Sequence, residues 1–374
     1  MINFLGSIGS FFSGILYILL ALLVLMIMIV IHEVGHYTAG KIFKFKINEF
    51  SIGFGKALYK KTKQNGEVFA IRLIPLGGYC AFEGEDEDTE SPDSFNKQAW
   101  WKRLIVLVSG ALFNFLSAVI FSVALLSVVG SGYSDIKTIE IEPTQYVISS
   151  ETLQVGDVVK RVNGEKCSFL NGAFNGMVGA IKDDETVITL TVERIVDGKK
   201  VEKDIQLYKR EILATNADGE VVVDENANPT YNYVIGVTTS WHNYSFGEAL
   251  LRAFPFACEM AWECLCIFGQ LIIGQYSIRN LGGPITTIGS IATASQTSML
   301  NLLLLFPLIA VNLAVFNLLP IPALDGARCV FVIIEAIRRK PINRDLEAKI
   351  HGIGLIVLFS FVIIVDLLQI FVFR

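Results

Sequence analysis

Charged residues are scarce in this sequence of 374 residues. Asp, Glu, Lys and Arg together make up 18% of it, whereas soluble domains carry about 25%. Hydrophobic residues make up 52%, a composition that indicates a membrane protein. An excess of positive charge is also missing, since the formal net charge is −5. This balance excludes a basic protein built to neutralise phosphates, and the sequence holds no nucleic-acid-binding motif.

Cysteine pairs and histidines are few as well. The six cysteines include no Cys-x-x-Cys motif, so neither a disulfide framework nor a cysteine zinc site is indicated. The chain has four histidines, two of which fall in one short motif.

Four uncharged stretches are candidates to cross about 30 Å of hydrocarbon. They are residues 11–31, 104–129, 300–324 and 353–365, the last continuing past Asp366. The first is not typical of a secretory signal, because no Lys or Arg precedes it, its apolar run is too long and no small-residue cleavage site follows. We therefore predict four transmembrane helices.

The asymmetry of Lys and Arg predicts the orientation, because cytoplasmic loops carry the excess of these residues. Eleven lie between the first two predicted helices, six between the last two, and none before the first. We therefore expect both basic loops in the cytoplasm, and both termini and residues 130–299 outside.

The first basic loop contains a predicted β-hairpin. Residues 57–63 and 67–73 flank Asn65-Gly66, and an Asn-Gly between β-compatible runs is a strong hairpin signal. The hairpin is apolar over much of its length, so we expect it to dip into the membrane, where the helices must cover its backbone.

The external region begins with a predicted small α/β domain at 131–215. Strands at 187–195 and 200–207 joined by Asp197-Gly198, with a helical stretch near 170–181, favour one PDZ-like peptide-binding unit. Any small β-rich domain could share this pattern. Residues 246–274 are apolar with one narrow polar stripe, and a further crossing there would reverse the third span relative to the first. We predict an amphipathic helix in or on the outer leaflet.

The sequence His32-Glu33-Val34-Gly35-His36 is an H-E-x-x-H motif that directly follows the first apolar run. Imidazoles four residues apart on a helix share one face and can both bind a single Zn²⁺, and the glutamate can accept a proton from a water molecule. Ionisable groups at this depth are costly and usually functional. The alternative is the polar end of an interfacial helix.

Zinc needs a third protein ligand, and Asp325 is the best candidate. It follows twenty-five uncharged residues. If the first and third spans run in the same direction, Asp325 reaches the same depth as His32. The remaining histidines, His242 and His351, are more typical of structural positions. The alternative for Asp325 is an ion pair with Arg328, three residues further on.

Two amides, Asn312 and Asn317, lie inside the third apolar run. They are candidate substrate-binding residues that would hold the backbone of an unwound peptide; hydrogen bonds between helices are the alternative. Pro320 and Pro322 break the helix just before Asp325.

The chain resembles the site-2 protease family, and most closely its bacterial RseP/RasP-type members, over nearly its full length. The resemblance rests on the H-E-x-x-H motif together with N-x-x-P-x-P-x-L-D-G at 317–326. Supporting matches lie at 53–55, 75–79 and 282–285. One departure is Gly110-Ala-Leu-Phe-Asn114, where Gly-Pro-x-x-Asn is expected.

The resemblance implies His32, His36 and Asp325 as zinc ligands and Glu33 as general base. It also implies a membrane-dipping hairpin beside the site, with Gly77 and Gly78 among the substrate-binding residues. The expected substrates are single-pass membrane proteins already trimmed by another protease, such as anti-sigma factors or signal-peptide remnants. The expected location is the bacterial cytoplasmic membrane.

The predicted fold is a multi-pass α-helical membrane protein with four transmembrane helices, a membrane-dipping β-hairpin and an inserted extracytoplasmic PDZ-like α/β domain. Its predicted segments are 1–40, 41–102, 103–130, 131–215, 216–299, 300–326, 327–350 and 351–374.

Two other functions fit the pattern less well. A membrane-anchored scaffold with structural zinc would need no glutamate in the motif and would close the fourth coordination position. A metal transporter would need polar residues along several spans, and the first two spans offer almost none beyond the motif and Asn114.

Overall fold

The computed structural model describes residues 2–85, 91, 93–141, 152–166, 187–208, 210–213, 221, 229, 231–234, 237–242, 244–277, 281–297 and 299–372. The chain forms two compact units. The first combines Met1–Ser122 with Arg252–Arg374, and the second is Val123–Leu251.

Helices dominate the first unit. In chain order the described helices are α1 (Ile2–Ile42), α2 (Trp100–Val128), α3 (Phe246–Ile272), α4 (Pro284–Thr297), α5 (Met299–Leu318), α6 (Asp325–Arg338) and α7 (Arg344–Phe371). Within the described residues, three segments are long and apolar enough to cross a membrane: Gly14–Ile42, Trp100–Val128 and Arg344–Phe371. The chain is therefore a membrane protein, as its composition indicates.

The predicted third span, 300–324, is shorter than expected. Helix α5 ends at Leu318, and the chain leaves the helix before Pro320 and Pro322, which lack amide donors and clash with a continuing helix. A new helix, α6, then begins at Asp325. The predicted helix break at the prolines is therefore present, and the uncharged range 300–324 extends past it.

A two-stranded sheet follows α1. Strand β1 (Ile47–Thr62) pairs with β2 (Val68–Phe82), with Thr62 opposite Val68 across the predicted Asn65-Gly66 turn. Both strands extend beyond the predicted 57–63 and 67–73. Residues 49–52 have partners in two segments of β2, 68–71 and 78–81. The sheet therefore curls on itself, with a bend at Gly53, Gly55 and Gly77, which all have positive φ.

A small apolar core joins the base of this hairpin to the helices. It contains Ala39 near the end of α1, Phe45 in the connection after it, Phe82 of β2, Leu107 of α2 and Val332 of α6, all buried. Around it, Glu335 of α6 forms ion pairs with Arg103 and Arg344, each at 2.8 Å. These contacts fix α6, and with it Asp325, against α1 and α2.

A carboxylate in the apolar helix α7 holds the start of α4. Asp366 is only 3% exposed and accepts hydrogen bonds from the backbone N–H groups of Ile285 and Thr286 and from the Thr286 hydroxyl, at 3.1, 3.1 and 2.6 Å. An added Cβ at Gly283 would lie 2.5 Å from this carboxylate. The Gly282-Gly283-Pro284-Ile285 segment is therefore shaped to receive an acid at a helix N-terminus.

The second unit is built on a sheet with strand order β10-β3-β4-β6-β7, in which β5 also pairs with β4. The strands are β3 (Ser131–Ile141), β4 (Val158–Val162), β5 (Glu165–Lys166), β6 (Val187–Val196), β7 (Lys199–Tyr208) and β10 (Val237–His242); β8 (Arg210–Leu213) and β9 (Tyr231–Val234) form a separate pair. The predicted strand pair around Asp197-Gly198 is present. The predicted helix at 170–181 lies outside the described residues. Helix α3 matches the helix predicted at 246–274.

Candidate metal centre

Helix α1 presents His32 and His36 on one face toward α2. Both side chains are buried, each with 7% of the residue exposed. His36 Nδ1 lies 2.8 Å from the Val106 carbonyl oxygen, so Nδ1–H is the donor and Nε2 keeps a free lone pair. The spacing of four residues brings the two Nε2 atoms to 3.1 Å from each other.

Asp325 approaches these nitrogens from the N-terminus of α6. Its Oδ2 lies 3.0 Å from His32 Nε2 and 3.2 Å from His36 Nε2. His351 holds the segment between α5 and α6, because its Nδ1 accepts a hydrogen bond from the Ala323 N–H at 3.0 Å. His351 thus has the structural position expected from the sequence.

Gly326 permits the sharp return of the chain between α5 and α6. An added Cβ there would lie 2.2 Å from the Leu319 carbonyl oxygen and 2.4 Å from the Leu318 carbonyl oxygen. A larger residue would push α6 away from α5 and carry Asp325 with it. The glycine after the aspartate is therefore part of how the third donor is positioned.

The three donor atoms form a nearly equilateral triangle with edges of 3.0, 3.1 and 3.2 Å. Tetrahedral ligands at about 2.0–2.1 Å from Zn²⁺ would be roughly 3.3 Å apart. The set of two imidazoles and one carboxylate with an open fourth side is typical of catalytic zinc sites. His32, His36 and Asp325 could therefore hold Zn²⁺ with little movement.

Gly110 of α2 keeps the space beside these atoms free. A Cβ added there would lie 2.4 Å from His36 Nε2 and 2.8 Å from His32 Nε2. Both distances are shorter than van der Waals contact, so even one methyl group would crowd the two nitrogens that would bind an ion. The family resemblance marks this glycine, but its role becomes visible only in the packed helices.

Comparison with known proteins agrees with this donor set. A family model described as peptidase family M50 matches residues 20–361. The chain belongs to peptidase family M50. These are site-2 proteases and depend on zinc, so the protein is a membrane-embedded zinc metalloprotease.

Relatives of the protease match over almost their whole length. A protein of Fusobacterium nucleatum, provisionally named a zinc metalloprotease, is 28% identical over 352 residues, which cover 93% of this chain and 96% of the relative. Similarly named proteins of Rickettsia conorii and Clostridium perfringens are 29% and 25% identical. They cover 90% and 94% of this chain, and 93% and 98% of the relatives are covered in turn.

Two amides of the protease face His32 from different helices. Asn114 Nδ2 of α2 and Asn317 Nδ2 of α5 each lie 3.4 Å from His32 Nδ1. Asn312 is on the same helix as Asn317 and is half-buried, but it makes no hydrogen bond to the donor cluster in the part of the chain that the structure describes. Asn114 was not among the predicted site residues. The sequence feature that could have identified it is a single amide within the second apolar stretch, 104–129.

The hairpin contacts the motif at Glu33. A Cβ on Gly78 would lie 2.9 Å from the Ser51 carbonyl oxygen and 3.3 Å from Glu33 Cγ. Gly77 instead packs on the ring of Phe54, because an added Cβ would lie 2.1 Å from that ring. Gly78 therefore adjoins the proposed base directly, whereas Gly77 shapes the bend.

The other end of the hairpin is tied to the end of α1. Glu67, only 2% exposed, pairs with Lys41 and accepts hydrogen bonds from Lys63 at 2.7 Å and Tyr37 at 2.9 Å. Burial raises the pKa of the Glu67 carboxyl, but these donors outweigh burial and lower it to about 2. Lys41 and Glu33 are eight residues apart, about 12 Å along the helix. The bend therefore contacts α1 closer to the middle of that helix than the Asn-Gly turn does.

Proposed function

We propose that this protease cuts peptide bonds within or near the transmembrane segments of single-pass membrane proteins. The observation that carries the proposal is the triangle of His32, His36 and Asp325 at the end of an apolar helix. One helix long enough to cross the membrane supplies both histidines, and the helix that begins after a break supplies the carboxylate. A substrate reaching these atoms would approach through the bilayer.

His32, His36 and Asp325 would hold Zn²⁺, which in such sites lowers the pKa of a bound water to about 7 and polarises a carbonyl. Glu33 sits one residue after His32, so it borders the cluster without joining the triangle. As general base, Glu33 takes the proton of the attacking water and returns it to the departing amide nitrogen.

A transmembrane helix hides its carbonyl groups in internal hydrogen bonds, so the substrate must unwind before cleavage. The curled hairpin β1–β2 offers strand edges to which an extended peptide can add by backbone pairing. Gly78 lets its strand approach Glu33 closely, so a peptide paired to the hairpin would lie near the base. Asn317 and Asn312, one and a half turns apart on α5, would take up other backbone groups of the unwound segment.

The apolar bend of the hairpin supports its placement in the membrane. Leu58 is 67% and Leu73 60% exposed, with Phe54 and Ile74 also exposed. Apolar side chains at this density would be covered by lipid. The apolar sequence of α5 likewise supports its role as a fourth crossing element in the bilayer.

The positive-inside distribution supports a site near the cytoplasmic face of the bacterial cytoplasmic membrane. The second unit then lies outside, where its sheet would form part of a single PDZ-like domain. Such a domain would engage or screen substrates, which agrees with substrates first trimmed by another protease. The natural partners are thus single-pass proteins in the lipid bilayer, with no nucleic acid involved.

The decisive experiment compares membrane-protein fragments in cells that carry wild-type protein or Glu33→Gln. Single-pass proteins should accumulate as trimmed, membrane-bound stubs only in cells with the variant. Purified wild-type protease in lipid should cut those stubs inside or beside their apolar segment. Identical fragment profiles, or cuts confined to soluble loops far from any apolar segment, would refute the proposal.

A further inference from the structure

A histidine that binds a metal through Nε2 needs a hydrogen-bond acceptor for its other ring nitrogen, Nδ1. When Nε2 binds a metal, Nδ1 carries the proton and must donate it to an acceptor, which fixes the tautomer and the ring orientation. His36 meets this requirement, because its Nδ1 lies 2.8 Å from the Val106 carbonyl oxygen on α2. Ser109 Oγ donates to the same oxygen at 2.5 Å.

No such acceptor faces His32 Nδ1 among the described residues. Its Nδ1 faces Asn114 Nδ2 and Asn317 Nδ2, both at 3.4 Å. An amide NH₂ can only donate, so this pairing requires a bare Nδ1 and therefore a proton on Nε2. That tautomer cannot use Nε2 to bind a metal.

Asn114 holds the missing acceptor. Its side chain is completely buried, and its Oδ1 has no hydrogen-bond partner in the part of the chain described here. A half-turn of the amide about χ2 exchanges the positions of Oδ1 and Nδ2. The surrounding hydrogen bonds decide which of the two atoms faces His32. The turned amide places Oδ1 within reach of Nδ1–H.

We propose that Asn114 is the positioning residue of His32: its Oδ1 accepts the Nδ1–H proton and holds the ring with Nε2 toward the metal. The inference rests on the zinc site of the proposed function. Helix α2 then supplies one acceptor for each histidine, Val106 for His36 and Asn114 for His32. Asn114 acts through the packing of α2 against α1 and does not bind the substrate.

Asn317 has the same distance to His32 but a different setting. It is half-buried on α5, next to the helix break, and it remains accessible to a peptide. A single Nδ1–H proton serves one acceptor well, and the enclosed amide is better suited to hold it. Asn114 therefore governs metal affinity, whereas Asn317 governs cleavage.

The test measures zinc affinity by chelator competition on purified full-length protein in lipid or detergent. Asn114→Leu keeps the size but removes the acceptor, and its zinc affinity should fall about 10–100-fold, as for other groups that support metal ligands. Asn114→Asp offers an acceptor in either orientation and should restore affinity close to wild type. Asn317→Leu should keep zinc and lose cleavage.

Two reference variants separate the possible failures. Ser122→Ala removes another completely buried polar group of α2 and should leave zinc affinity unchanged. His32→Ala should lose zinc; equal binding by His32→Ala and wild type would remove the metal centre itself, and with it the proposed function.

The absorption of bound Co²⁺ gives a second readout, because the ligand geometry sets its spectrum. Asn114→Leu should alter that spectrum at saturating Co²⁺, and Asn114→Asp should resemble wild type. If Asn114→Leu binds zinc as tightly as wild type while His32→Ala does not, the role of Asn114 is refuted. Equal weakening in Asn114→Asp and Asn114→Leu, or a loss of zinc in Asn317→Leu alone, would refute it as well.

Discussion

The guanidinium of Arg328 pairs with Glu85, in the turn that follows the hairpin. Asp325, one helical turn earlier on α6, has its described ion pairs with His32 and His36. The arginine thus ties the base of the hairpin to the helix that carries the third donor. Among the ion pairs of the described residues, none joins Asp325 to Arg328, the alternative that the sequence left open.

This arrangement predicts different effects for neighbouring substitutions on α6. Asp325→Asn should abolish cleavage and lower zinc content, because a neutral amide is a poor substitute for a carboxylate on Zn²⁺. Arg328→Ala should keep zinc and reduce cleavage only partly, since Arg328 is a partly exposed residue that acts through Glu85. Zinc content and cleavage rate are measured on both purified proteins. Full zinc and normal activity in Asp325→Asn would remove Asp325 from the site.

Glu33→Gln should separate metal binding from turnover. Glu33 lies outside the triangle of donor atoms, so the variant should bind as much zinc as wild type. Cleavage should fall by several orders of magnitude, as is common when one catalytic group is removed. The measurement pairs metal analysis with a cleavage time course on one reconstituted substrate. Cleavage near the wild-type rate would show that another group takes the proton.

Gly110→Ala tests the space beside the donor atoms. The new methyl group would lie 2.4 Å from His36 Nε2, closer than unbonded atoms allow, so zinc content and cleavage should both fall. Gly352→Ala is the matched control, because a Cβ at that helical glycine has no neighbour within 4 Å. The control should keep zinc and activity. Equal behaviour of the two variants would mean that α2 can move away from the histidines at little cost.

The Glu67 carboxylate predicts a pH dependence of the hairpin attachment. Its folded pKa of about 2 lies below the ordinary value of 4.5. Its stabilisation is therefore fully present above about pH 4.5 and is lost as the pH falls through 2. Glu67→Gln should destabilise the protein by about 1–3 kcal/mol at pH 7, and its difference from wild type should shrink at low pH.

Thermal unfolding of both proteins from pH 7 to pH 3 measures this difference. Glu202→Gln, at an exposed position of β7, is the control and should follow wild type throughout. A Glu67→Gln difference that stays constant down to pH 3 would argue against a charged Glu67 as the attachment.

Single cysteines test the orientation in cells. Cysteines at Lys61 and Arg339 should react only with reagents applied from the cytoplasmic side, and one at Asp197 only from outside, because Lys and Arg are concentrated in the loops that contain the first two. Labelling of positions 61 and 197 from the same side would contradict the predicted topology.

The sequence indicated those parts of the site that depend on local spacing or on depth. His32 and His36 follow from helical periodicity, and Asp325 follows from two apolar runs that end at the same level. The Asn-Gly turn likewise predicted the hairpin. Residues that act through the packing of two helices carry no such pattern.

Gly110 and Asn114 illustrate that limit. Their relation to the histidines depends on the rotation and offset of α2 against α1, which a single sequence does not specify. The length of β1 and β2 was also underestimated, because the glycines that look like strand ends instead allow the sheet to bend and continue.

The attachment of the hairpin to α1 at both Glu67 and Glu33 has a consequence for where a substrate is cut. A peptide paired to a fixed strand has its carbonyl groups at set intervals, alternating in direction from one residue to the next. The bond that reaches the donor triangle would then be chosen by pairing register, largely independent of side-chain identity. Shortening the hairpin by two residues would move the cut along the substrate, so the hairpin would set the position at which the protease cuts.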